Sequence, residues 1–204
     1  MSEGSHTEPT LGLRERKRLA AMRTIQGIAL DLFDAEGFGL VTIERIASEA
    51  DVSPSSVYRY FGTKEHIVLW DEWDPFWVDQ LFEEIKTEPP LVALRHAAEV
   101  IIVGPLSTDE EYVRRLTRLI MEEPSIEAAF ALEYYKIAEL IGNTLSEALG
   151  REHGDLDIQL LSHALVGAVT GAIHHWYESG FSAPIAEVLQ RALDALERGF
   201  ALPD

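Results

Sequence analysis

Cysteine is absent from the 204 residues, which excludes disulfides, thiolate metal sites and cysteine nucleophiles and fits a reducing compartment. Positive charge is scarce, with 17 Lys and Arg against 35 Asp and Glu for a net charge of -18. No Gly-x-Ser-x-Gly elbow, phosphate-cradling glycine loop or alternating strand-like run is present, so the usual mounts for hydrolase and nucleotide chemistry are missing. The longest apolar run, Leu160 to Ile173, is interrupted by Ser162 and His163 and falls short of a membrane span. The first ten residues lack the basic-then-apolar pattern of a signal peptide. With 47% hydrophobic residues, the chain can bury a sizeable core without a cofactor or staple. These features predict a soluble, cytoplasmic protein.

What is present is helical periodicity. Leu19, Met22, Ile25, Ile28, Ala29, Leu32 and Phe33 mark a long amphipathic helix from Leu13 to about Glu36, stopped by Gly37. Thr42 is a good N-cap for a short helix whose buried face is Ile43, Ile46, Ala47 and Ala50. Asp51 tolerates the left-handed backbone that ends it, and Val52 can plug the turn. Ser53 caps and Pro54 opens a second short helix, with Val57 and Phe61 inward, and Gly62 stops it. By subtraction Ser55, Ser56, Tyr58 and Arg59 face outward, a small, partly cationic surface of the kind that fits a major groove.

The stretches Leu30-Asp31-Leu32-Phe33, Glu36-Gly37-Phe38, Thr42-Ile43, Ile46-Ala47, Ala50-Asp51-Val52-Ser53, Tyr58-Arg59-Tyr60-Phe61 and Lys64-Glu65 come in order at the intervals of a known unit. The chain resembles the TetR family of transcriptional regulators over its first third. Asp51 stands where that family more often has glycine, and Ser55-Ser56 replaces a pair that often includes a basic residue. The resemblance implies an all-α fold: a three-helix helix-turn-helix headpiece at residues 13–62, after an arm at 1–12, then a ligand-binding and dimerisation domain at 63–204. It implies double-stranded operator DNA as partner, with Ser55, Ser56, Tyr58 and Arg59 on bases or phosphates and Thr42, Tyr60 and Lys64 on the backbone.

Charge partition removes the objection posed by the acidic total. Residues 1–66 hold 8 Lys and Arg against 10 Asp and Glu, while residues 67–204 hold 9 against 25. Arg14, Arg16, Lys17, Arg18, Arg23, Arg59 and Lys64 can therefore meet phosphate locally while the acidic body repels DNA in other orientations.

Beyond Thr63 the spacing predicts a helix through Trp70 to Trp73, kinked at Pro75, which in the resembled family carries the ligand signal to the headpiece. Further helices follow at Leu91–Ile102, from an acidic cap at Ser107 to Glu111 up to Pro124, at Ser125–Leu149, at Asp157–Glu178 and from Pro184 to Phe200. In the penultimate helix Ala164, Gly167, Ala168, Gly171 and Ala172 form a small-residue stripe, flanked by Leu161, Leu165 and Ile173. With the final helix it predicts a four-helix homodimer seam.

Trp70, Trp73 and Trp77, at i, i+3 and i+7, together with Phe130 and Tyr134, are candidates to line an apolar pocket. The C-terminal half is distantly similar to TetR members of the mycofactocin-regulator type, whose ligands are acyl-CoA-like, implying a small apolar or acyl effector. His174 and Glu178 lie one turn apart, with His163 on the same helix, but the one Glu-x-x-His pair, Glu3 with His6, sits in the arm; no metal, cofactor or catalytic residue is assigned. The rival reading is an α-helical small-molecule-binding protein or enzyme whose headpiece does not read DNA.

Overall fold

The computed structural model describes residues 12–70, 83, 85, 87–99 and 109–199. Among the described residues every regular element is a helix: α1 (Leu13–Glu36), α2 (Ile43–Glu49), α3 (Pro54–Phe61), α4 (Lys64–Leu69), α5 (Pro90–Ala98), α6 (Glu110–Glu122), α7 (Pro124–Leu149), α8 (Leu156–Glu178) and α9 (Ile185–Glu197). The all-α expectation is met. Two compact units divide after Trp70, so α4 belongs with the first unit rather than opening the second at residue 63.

In the first unit, α1 buries Leu19, Met22, Ile25, Ala29, Leu32 and Phe33, which share a core with Ile43, Ile46 and Ala47 of α2, Val57 and Phe61 of α3, and Ile67 and Val68 of α4. Short hydroxyl residues start the three brief helices: Thr42, Ser53 and Thr63 accept the backbone N–H of Arg45, Ser56 and His66. Each cap satisfies one of the donors a helix start leaves unpaired, stabilising it by about 1 kcal/mol. Asp51 adopts the left-handed turn expected of it, with φ at 52°.

The helix predicted to run on to Trp73 is shorter. α4 ends at Leu69, and Trp70 is extended at φ -69°, ψ 126°. Gln26, buried on α1, supplies the physical reason, because its Nε2 donates to the carbonyls of Ile67 and Trp70, both at 2.9 Å. Continued helix would have used the Ile67 carbonyl for a backbone bond. The predicted kink at Pro75 lies outside the described residues.

The second unit has two apolar clusters. One joins Ala93, Leu94, Ala97 and Ala98 of α5 to Ile141 and Leu145 of α7, Ile158 and Leu165 of α8, and Leu193 of α9. The other joins Val113 of α6 to Ala172 and Trp176 of α8 and Ile185, Val188 and Leu189 of α9, with Phe181 between the last two helices. Asp109 caps α6 by accepting Tyr112 N–H at 3.1 Å; Ser107 and Thr108 lie outside the described residues. α7 begins at Pro124, one residue before the sequence-based start. The last helix is described to Glu197, and Phe200 lies outside.

Candidate nucleic-acid interface

The exposed surface of α3 is the one subtraction predicts. Val57 and Phe61 are buried, whereas Ser55, Tyr58 and Arg59 are exposed and Ser56 and Tyr60 half-buried. Ser53 holds the start of this surface in register, its hydroxyl lying 2.8 Å from that of Ser55 and 2.9 Å from that of Ser56. Arg59 donates to Ser56 Oγ at 3.3 Å, and its guanidinium sits 4.9 Å from the centroid of the Tyr60 ring. Among the described residues, no carboxylate pairs with it.

The other cations of the unit sort by partner. Arg18 pairs with Glu15 at 2.6 Å, and Arg45 reaches both Glu49 at 2.6 Å and Glu36 at 3.3 Å. Lys64, expected on the DNA backbone, donates to the carbonyls of Phe38 at 2.6 Å and Val41 at 2.9 Å, with its Nζ 4.1 Å from the Phe38 ring centroid. Two of its three donors thus brace the turn that presents Thr42. The Thr42 side chain is exposed; its oxygen caps α2, and its hydroxyl proton remains free to donate.

Of the aromatic candidates, Trp70 packs its ring edge-on to Phe61 at 6.0 Å within the first unit, and Trp73 and Trp77 lie outside the described residues. Phe130 and Tyr134 do come together on α7, with centroids 4.1 Å apart. The Tyr134 hydroxyl is buried without a hydrogen-bond partner of ordinary geometry. Burial drives its pKa well above that of a free phenol, and the hydroxyl of Thr170 on α8 opposes the shift. Sequence spacing missed Trp176, which is fully buried and donates Nε1–H to the Ala183 carbonyl at 2.7 Å. Among the described residues, no group of three or more His, Asp and Glu is arranged to hold a metal.

On α8 the small-residue stripe divides between two faces. Ala172 joins the core beside Trp176, and Leu165 is buried. Gly167 and Gly171 are exposed, and a Cβ on either would meet nothing within 4 Å. Leu156 and Leu160 are 69% and 60% exposed and continue that outward stripe. By length and composition alone α8 would pass as a membrane span, a test that the core helix of a soluble protein also passes. Only 22% of its most apolar window is buried within the chain, leaving an apolar face uncovered.

Comparison with known proteins decides the family. Residues 28–69 match the model of bacterial regulatory proteins of the tetR family, and residues 88–201 match the MftR C-terminal domain. The chain belongs to the TetR family. The TetR-family protein named as mycofactocin biosynthesis transcriptional regulator MftR, of Mycobacterium tuberculosis, is 25% identical over 187 residues, covering 90% of this chain and 93% of that one. The HTH-type transcriptional regulator RutR of Escherichia coli is 29% identical over 178 residues, covering 86% of this chain and 71% of RutR. Among solved structures, NalD of Pseudomonas aeruginosa, the secondary repressor of a multidrug efflux pump, superposes with a TM-score of 0.56 at 22% identity over 90% of this chain and 97% of NalD. FadR of Thermus thermophilus, in complex with lauroyl-CoA, gives 0.54 at 21% over 90% of this chain and 96% of FadR.

Proposed function

We propose that this TetR-family chain is a cytoplasmic, homodimeric, ligand-responsive repressor that binds a palindromic operator. The observation that carries the reading is the α3 surface: short hydroxyls and one exposed guanidinium, unpaired with any carboxylate among the described residues, on a helix whose other side, Val57 and Phe61, is buried. Ser55, Ser56, Tyr58 and Arg59 meet bases or phosphates. Thr42, Tyr60 and Lys64 hold the DNA backbone, Lys64 with the donor left over from its two carbonyls.

One helix of eight residues touches few base pairs, so useful affinity needs two copies. Leu156, Leu160, Gly167 and Gly171 on α8, with α9 beside them, form the seam between subunits. Two-fold pairing sets half-sites about one helical turn, ~34–36 Å, apart in simple cases. Effector binding changes the separation of the two recognition helices and releases one half-site.

An acyl-type effector is the reading we adopt for the second unit. In its support, the C-terminal match is to the MftR type, and the Phe130–Tyr134 pair offers apolar surface beside a phenol with an unused donor. Trp73 and Trp77 stand as further lining candidates on spacing alone, while Trp70 is already engaged by Phe61.

Selection of bound fragments from random duplex DNA, repeated across salt concentrations, tests the function. A regulator selects an inverted repeat and loses affinity linearly in log salt, because each phosphate neutralised releases counterions. The rival α-helical binding protein or enzyme selects nothing. Adding lauroyl-CoA as a probe lowers the retained fraction if the effector is of this class.

A further inference from the structure

We infer that Arg59 reads a guanine in the major groove of each half-site, and that this one contact supplies most of the sequence discrimination made by α3. The inference rests on the DNA-binding reading above and deepens it.

Helix geometry places the side chain. At about 100° per residue, the buried pair Val57 and Phe61 define one side of α3, and Arg59 falls diametrically opposite. Ser55 and Ser56 flank it on either hand, and Tyr58 stands further round, toward the wall of the groove. A helix docking by its outer face therefore sends Arg59 deepest, toward the base edges, and leaves Tyr58 nearer the sugar–phosphate wall. The helix is about 12 Å long at 1.5 Å per residue, enough to face three or four base pairs.

Chemistry then selects the base. Serine hydroxyls donate and accept alike and pair with several base edges, so Ser55 and Ser56 discriminate weakly. A guanidinium presents two parallel donors, matched to the N7 and O6 acceptors of guanine and to no other base edge. The fork of Arg59 is held in advance by Ser56 Oγ and the Tyr60 ring, and among the described residues no carboxylate pairs with it that would have to be displaced. Arg45 contrasts with it, being spanned by Glu36 and Glu49.

The test uses the full-length protein and its selected operator. Wild-type selection should return one invariant G·C column per half-site, and replacing that pair by A·T should weaken binding about 5- to 150-fold. In Arg59→Ala the two duplexes should bind equally, and in Arg59→Gln the preference should move to adenine, whose N6 and N7 suit a carboxamide. The inference is overturned by a palindrome with no guanine column, by an undiminished penalty in Arg59→Ala, or by equal losses on every sequence in both variants, which would mark Arg59 as a phosphate contact. A wild-type protein that selects no sequence at all would instead overturn the proposed function.

Discussion

The side-chain amide of Gln26 lies 2.9 Å from the carbonyl oxygen of Trp70 and bonds the Ile67 carbonyl with its other proton. A single buried amide on α1 thus closes the C-terminal end of α4, where helical carbonyls otherwise lack partners. With Lys64 tied to the turn before α2, α4 is fastened at both ends to the headpiece.

Gln26→Leu should therefore loosen this fastening more than its small change in volume would indicate. Buried carbonyls left unpaired cost about 1–3 kcal/mol each, so urea denaturation should show a destabilised headpiece, with operator affinity falling alongside. Unchanged stability would mean that the amide is not a brace.

Gly171 permits a cleaner separation of folding from association. A side chain there meets open space within the subunit, so Gly171→Glu should leave the monomer as stable as wild type, or more stable by up to about 1 kcal/mol from the glycine's poor helix propensity. It should abolish the dimer and the cooperative operator shift, as read by sedimentation velocity and gel shift. A dimer that survives would move the seam elsewhere.

Lys64→Met keeps an apolar stem against Phe38 but removes the ammonium from two carbonyls. Thermal stability should drop by about 1.5–3 kcal/mol as charged hydrogen bonds are lost. The salt slope of operator binding should also fall by roughly one, because the third donor serves a phosphate. A slope equal to wild type would leave Lys64 as a brace alone.

Tyr134 gives the account a pH dependence. Its folded-state pKa is raised by burial, so the stability it contributes is complete below the ordinary phenol pKa and is lost as pH rises toward the folded value. Base-induced unfolding should therefore be less steep above about pH 10 in Tyr134→Phe than in wild type. Identical alkaline limbs would show the hydroxyl to be solvated.

The headpiece was legible in the sequence because its signals are local. Thr42, Ser53 and Gly62 punctuate short helices, and the spacing of Val57 and Phe61 settles which way Arg59 faces. The end of α4 was not legible, since it depends on Gln26, more than forty residues away in sequence, and a polar residue on an amphipathic helix gives no sign of where its amide points. The α8 stripe was half legible: small residues announced close approach, but whether Ala172 or Gly171 met the core depended on the position of Trp176, which spacing alone had left out. Lys64 read as a free cation because carbonyl partners leave no trace in a sequence.

The central claim is that two α3 surfaces on one dimer read two half-sites together. Its most direct measurement is the stoichiometry and half-site dependence of binding to the selected operator, by analytical ultracentrifugation with labelled duplex. The account predicts an even number of chains per duplex and a sharp loss of affinity when either half-site is scrambled. One chain per duplex, or equal affinity for intact and half-scrambled sites, would contradict it.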